Sequence, residues 1–229
     1  MKRTSFAALL TLVAALLLPI AALAGPPLIC HPFNIGDAKS LPFEGPGWSQ
    51  VQPGYDTAHL VADTMALLTP DTPVIVRMET LRRASLYARN DAHLAQALLD
   101  RVQSRAAGIK LGPNDDRRDR TALLAWFDLG YLVETYRQEA AAVHYGQPVW
   151  SFAQRAPNDV DGYALIQKAI ERGGGADMEF AAALVTASNR DRNYSQHLQN
   201  AIAGAKPGSL LAVNLAAQFP DAMKTAQLK

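Results

Sequence analysis

From Tyr55 onward the chain is a succession of alanine- and leucine-rich stretches, each cut off by proline, glycine or an Asx residue, and this punctuation limits the fold more than any other feature. Such stretches favour helix, and the breaks keep each helix short. The first predicted helix runs from about Asp56 to Leu68 and stops at Thr69-Pro70. Thr72 is placed to cap a second, with Pro73 at its first position, running to about Arg89. Asn90-Asp91 closes it and caps a third, to about Ala107. A polar loop, Gly108 to Arg118, precedes a fourth from about Arg120 to Ala142. After an irregular stretch holding Trp150 and Phe152, Asp159 or Asp161 starts a fifth, to Arg172. Gly173-Gly174-Gly175 is a turn, and three more helices follow: Asp177 to Ala187, Tyr194 to Ala203 and Ser209 to Phe219. Val74-Ile75-Val76 is the one β-branched run, and it sits directly behind a helix-start signal. The expected fold is all-α: stacked antiparallel helical hairpins over residues 55–229, an α-α superhelix.

The segment before Tyr55 has the opposite character. Gly25-Pro26-Pro27, His31-Pro32, Leu41-Pro42, Gly45-Pro46-Gly47 and Pro53-Gly54 forbid a long helix. Residues 25–54 therefore read as an extended lead, with Ile29, Phe33, Ile35, Phe43 and Trp48 available to pin it down. Residues 1–24 read as a cleavable signal peptide. Lys2 and Arg3 form the positive end, Phe6 to Leu23 is almost wholly apolar, and Ala22-Leu23-Ala24 offers small residues where a signal peptidase reads. A membrane anchor is the competing reading, and Pro19 with the A-x-A site favours cleavage. The expected location is periplasmic or secreted, with no membrane contact after cleavage.

Loss of Lys2 and Arg3 leaves 22 − 2 = 20 basic side chains against 21 acidic ones. That balance offers no basic excess for nucleic acid. Cys30 is the only cysteine, so no disulfide closes within the chain. Ile29 before it is wrong for a lipidation site, and Cys30-His31 alone does not make a haem attachment site. Neighbouring side chains in an extended segment point apart, so the pair does not readily share a proton. The plain expectation is a small apolar side chain tucked under the lead. His31, His59, His93, His144 and His197 include no pair three or four apart, and no H-E-x-x-H occurs, so neither metal nor cofactor is expected.

Two groups of charges stand out. Arg77, Glu79, Arg82 and Arg83 share one helix, with Glu79 and Arg83 in the favourable i,i+4 order. They read either as a salt-bridged solvent face or as a cluster on a concave face that grips a carboxylate or peptide terminus. Asp128 and Glu134 lie on or beside the run Ala122 to Val133, which is apolar on nearly every side. A carboxylate there needs a partner, with Arg82 or Arg83 of a neighbouring helix as candidates; the other reading is a catalytic carboxylate. No catalytic signature such as G-x-S-x-G occurs, so no catalytic residue is expected from the sequence.

Trp126-x2-Leu129-Gly130-x2-Val133 resembles the first-helix pattern of a tetratricopeptide repeat, with Val133 where the family has tyrosine. Glycine there lets the second helix of a hairpin approach closely, while tryptophan and leucine fill the groove. No period of about 34 residues carries the pattern onward, and Ala84-x2-Tyr87 repeats only a fragment. A second likeness spans most of the chain. Pro26-Pro27-Leu28-Ile29-Cys30-His31-Pro32-Phe33, then Val76 to Ala84, then Met178 to Leu184, are similar to a group of uncharacterised exported bacterial proteins. That resemblance implies export and a helical fold but no activity. The expected function is an exported helical scaffold binding a protein or peptide. The alternative is a periplasmic hydrolase or other enzyme with a carboxylate and arginine site drawn from separate helices.

Overall fold

The computed structural model describes residues 27–45, 47–109, 120–142, 159–187 and 193–227. The signal segment, the loop from Gly108 to Arg118 except its first two residues, and the stretch with His144, Trp150 and Phe152 lie outside them. The described residues are helical apart from the lead and short connections, with no strand beyond a single antiparallel bridge between Phe43 and Val51. The all-α reading therefore holds among them.

A 3-10 turn at Thr57–His59 leads into α1 (Leu60–Leu67). Then follow α2 (Val74–Ala88), α3 (Ala92–Ala107), α4 (Arg120–Ala142), α5 (Gly162–Glu171), α6 (Ala176–Thr186), α7 (Tyr194–Gly204), α8 (Leu210–Gln218) and α9 (Pro220–Gln227). The start signals act as their chemistry requires. Asp91 accepts the amides of His93 and Leu94, Asp161 that of Ala164, and Ser209 that of Ala212. Thr72 behaves differently: Pro73 occupies the N-cap of α2, and the Thr72 hydroxyl turns back to the Leu67 carbonyl and Thr69. α9 goes beyond the expected last helix. Phe219 leaves helical geometry and Pro220 starts again, since proline is well suited to a first turn.

α2 and α4 form the centre. Twelve of the fifteen residues of α2 are buried, charged ones included, so it is a core helix rather than one with a solvent face. α4 is buried from Ala122 to Val133, as its apolar run demands. Both pack on each other, while α5 lies along α4 and α7 along α6. Gly130 of α4 meets Gly162 of α5 so closely that a Cβ on Gly130 would stand 2.5 Å from the Gly162 carbonyl oxygen. Buried hydroxyls on these helices are satisfied locally, Thr80 to Val76, Thr135 to Tyr131 and Thr186 to Ala182, each bonding the carbonyl one turn back.

The lead is part of the core. Leu28, Ile29, Phe33 and Leu41 are at most 3% exposed, while Ile35, Phe43 and Trp48 are half-buried. Phe33 meets Phe180 of α6 edge to face, and Phe180 meets Phe219 in the same way.

Candidate functional site

α2 carries two buried ionic clusters, back to back. In the first, Arg77 is a fork on Asp128 of α4, with Nε to Oδ1 at 2.7 Å and Nη2 to Oδ2 at 2.6 Å, both side chains wholly buried. Its remaining N–H groups reach the carbonyls of Leu68 and Thr69, where α1 ends. Arg105 of α3 stands 3.6 Å from Asp128 and also donates to the Leu68 carbonyl. Burial raises the pKa of Asp128, and Arg77 and Arg105 pull it back in part. The need for an arginine is met, but by Arg77, not by Arg82 or Arg83. Those two lie one to two turns further along α2 and face the lead instead. Glu134 is answered from its own helix by Arg137 at 2.5 Å, and it accepts the Tyr163 amide at the start of α5.

In the second cluster, Glu79 takes a bidentate pair from Arg82, at 2.7 and 2.8 Å, and a third contact from Arg83 at 2.7 Å. Glu79 and Arg82 are wholly buried, which overturns the solvent-face reading of Arg77, Glu79, Arg82 and Arg83. What they hold is main chain. Glu79 accepts the Phe33 amide. Arg82 donates to the carbonyls of Ile29 and Trp48, and Arg83 to that of Leu41. Both guanidinium groups also lie about 5 Å from the centre of the Phe43 ring, Arg82 at 5.0 Å and Arg83 at 5.1 Å. Other elements complete the grip. Gln138 of α4 accepts the Leu28 amide, the Tyr87 hydroxyl donates to the Pro42 carbonyl, and the Asn214 amide of α8 both accepts from and donates to the backbone of Asn34.

At one end of this grip sit Cys30, His31, Arg89 and Glu139. Cys30 is half-buried rather than tucked away, and burial pushes its thiol pKa up. His31 is held below its usual value by burial and by Arg82. Glu139 is buried and accepts the Ser85 hydroxyl at 2.8 Å; burial pushes its pKa up to about 8, with the Ser85 bond and Arg89 pulling it back in part.

A third cluster was not foreseen. His197 of α7 lies 2.5 Å through Nδ1 from Glu179 of α6 and 2.8 Å through Nε2 from the Tyr163 hydroxyl of α5. Asn200 donates to the other Glu179 oxygen, and Gln167 donates to the Tyr163 hydroxyl. No local spacing announces this set, because its members stand 34 and 18 residues apart. Only the presence of a histidine on a helix with a glutamate on the preceding one hinted at it.

Among the described residues no group of three or more histidine, cysteine or carboxylate side chains could hold a metal ion, and no helix is long and apolar enough to cross a membrane. No protein-family model, curated protein or solved structure matches the chain.

Proposed function

We propose that this chain is an exported scaffold of stacked helical hairpins, acting outside the cytoplasm, that holds a protein or peptide partner. The observation that carries the reading is the grip on the lead. Glu79, Arg82, Arg83, Gln138, Tyr87 and Asn214 all address the main chain of an extended segment. Main-chain recognition with apolar side chains seated between the polar contacts is how proteins hold extended peptides of varied sequence. A helical array with that chemistry in one chain has what is needed to hold a second.

The hairpin arrangement is supported by the packing of α5 along α4 and of α7 along α6, and by the glycine contact in the tetratricopeptide-like segment of α4. The enzyme alternative built on Asp128 and Glu134 has less in its favour. Asp128 is sealed and paired by a fork, and Glu134 is spent on Arg137 and on the first turn of α5.

The test is a pull-down with the mature chain from a periplasmic extract, read by mass spectrometry, followed by binding of the purified candidate. A recurrent partner that binds on its own, and whose extended segment alone competes, supports the scaffold. A chain that retains no partner across repeated extracts sinks it.

A further inference from the structure

The geometry points to Tyr163 as the nucleophile of an acyl-transfer site, with His197 as its base and Glu179 as the group that orients the imidazole. The inference is independent of the scaffold reading. It rests on the direction of the hydrogen bonds. Glu179 accepts from Asn200 and from His197, so in the neutral imidazole the proton is on Nδ1. Nε2 is then an acceptor, and the only proton between it and Tyr163 is the phenolic one. Gln167 already donates to the same oxygen. The phenol is thus aimed at a base, the base at a carboxylate, and the order of nucleophile, base and orienting group is complete.

The other core tyrosines differ. Tyr131 is wholly buried with no partner for its hydroxyl among the described residues, and Tyr136 bonds the Ala95 carbonyl. Tyr163 and His197 keep 6% and 7% exposure, and the rim around them is polar: Gln167 and Glu179 are half-buried and Asn200 is exposed. The substrate class follows from charge. Lys168 and Arg172 of α5 are turned to the Trp126 ring, at 3.7 and 5.6 Å from its centre, and Glu179 has no lysine or arginine partner among the described residues. A phosphate dianion would want cations here; a neutral carboxylic ester does not.

The step balances. Tyr163 Oη bonds to the acyl carbon as its proton passes to His197 Nε2. The ester C–O bond breaks and the alcohol leaves with that proton. Water then attacks the tyrosyl ester, giving its proton to His197. Tyr163 Oη leaves as phenolate and takes the proton back. Ester and water become acid and alcohol, and Glu179 stabilises the imidazolium formed twice on the way.

The experiment uses the full chain and p-nitrophenyl acetate. Saturable release of nitrophenol is expected, together with an acetyl group on Tyr163 in acid-quenched samples mapped by mass spectrometry. Tyr163→Phe and His197→Gln should each lower the rate by about 100-fold or more while circular dichroism stays helical. Glu179→Gln, a positioning change, should alter the pH profile of the rate. A rate equal to buffer, an undiminished rate in Tyr163→Phe, or an acetyl group on other residues only, overturns the assignment. Should a variant unfold, the position of the acetyl group in the parent chain decides.

Discussion

Asp128 and Glu139 are two buried carboxylates that solve the same problem in different ways. Asp128 keeps its charge company with a guanidinium fork. Removing the carboxylate strands Arg77 in the core, so Asp128→Ala should lose about 3–5 kcal/mol in chemical denaturation. Replacing both partners by apolar side chains of similar size should cost far less. A single-variant loss below about 1 kcal/mol would mean that the fork does not hold the charge of Arg77. Glu139 has the Ser85 hydroxyl and the charge of Arg89 to set against its burial, and burial wins, raising its pKa to about 8. The sign of the linkage follows. The folded chain holds a proton on Glu139 at pH values where the unfolded chain has released it. Stability from this group is therefore full below the ordinary glutamate range and is lost as pH rises through about 8. Glu139→Gln should flatten the decline in stability between about pH 4.5 and 8, a difference of at most about 5 kcal/mol. Denaturation curves at several pH values check it, and parallel pH profiles for parent and variant would refute it. That Asp128 needed an arginine was legible from the apolar run around it. Which arginine was not, because Arg77 and Asp128 stand 51 residues apart and helix packing selects between side chains on one helix.

At the scale of elements, three helix starts were legible because a side chain caps its own backbone, Asp91, Asp161 and Ser209, and those at Arg120 and Tyr194 because the polar stretches of sequence before them end there. The buried character of α2 could not be read. Its charged residues follow the pattern of a solvent face, and two different partners turn them inward: the lead covers Glu79, Arg82 and Arg83, while α4 and the end of α1 cover Arg77. The contact between α4 and α5 lies between these cases. Gly130 marked a close approach, but its counterpart, Gly162, gave no signal of its own. Gly130→Ala gains helix propensity, worth about 1 kcal/mol. Its Cβ, however, would meet the Gly162 carbonyl, an atom that moves only if α5 moves. Overpacking against backbone should win, for a net loss of about 1–3 kcal/mol. Gly162→Ala has a Cβ 2.6 Å from the Gly130 carbonyl and 2.7 Å from Glu134 Oε1, so it also disturbs the carboxylate that caps α5. It should cost at least as much. Thermal melts of both variants are sufficient, and a melting point unchanged or raised in either would show that the helices part more easily than this geometry allows.

For the whole molecule the question is whether the lead is a strap laid on a finished bundle or part of what makes the bundle. Its anchors argue for the second. Leu28, Ile29, Phe33 and Leu41 are core residues at most 3% exposed, and their seats are formed by elements distant in sequence. The Phe33 amide is bonded to Glu79 of α2, and the next amide, Asn34, to Asn214 of α8, 180 residues away. The lead thus joins the first half of the helical array to the last. Backbone amides that open only with global unfolding exchange hydrogen together. Native-state hydrogen exchange should therefore show the amides of Phe33 and Asn34 exchanging with the same free energy as those at the centres of α2 and α4. Glu79→Ala, which leaves Arg82 as an uncompensated buried charge, should lower all of them by a common amount, about 3–5 kcal/mol. The contrary result is just as clear. If Phe33 and Asn34 exchange rapidly while α2 and α4 stay protected, the lead opens alone. The helices would then hold it as a separable ligand, bound within the chain by the same main-chain contacts that a partner's segment would use.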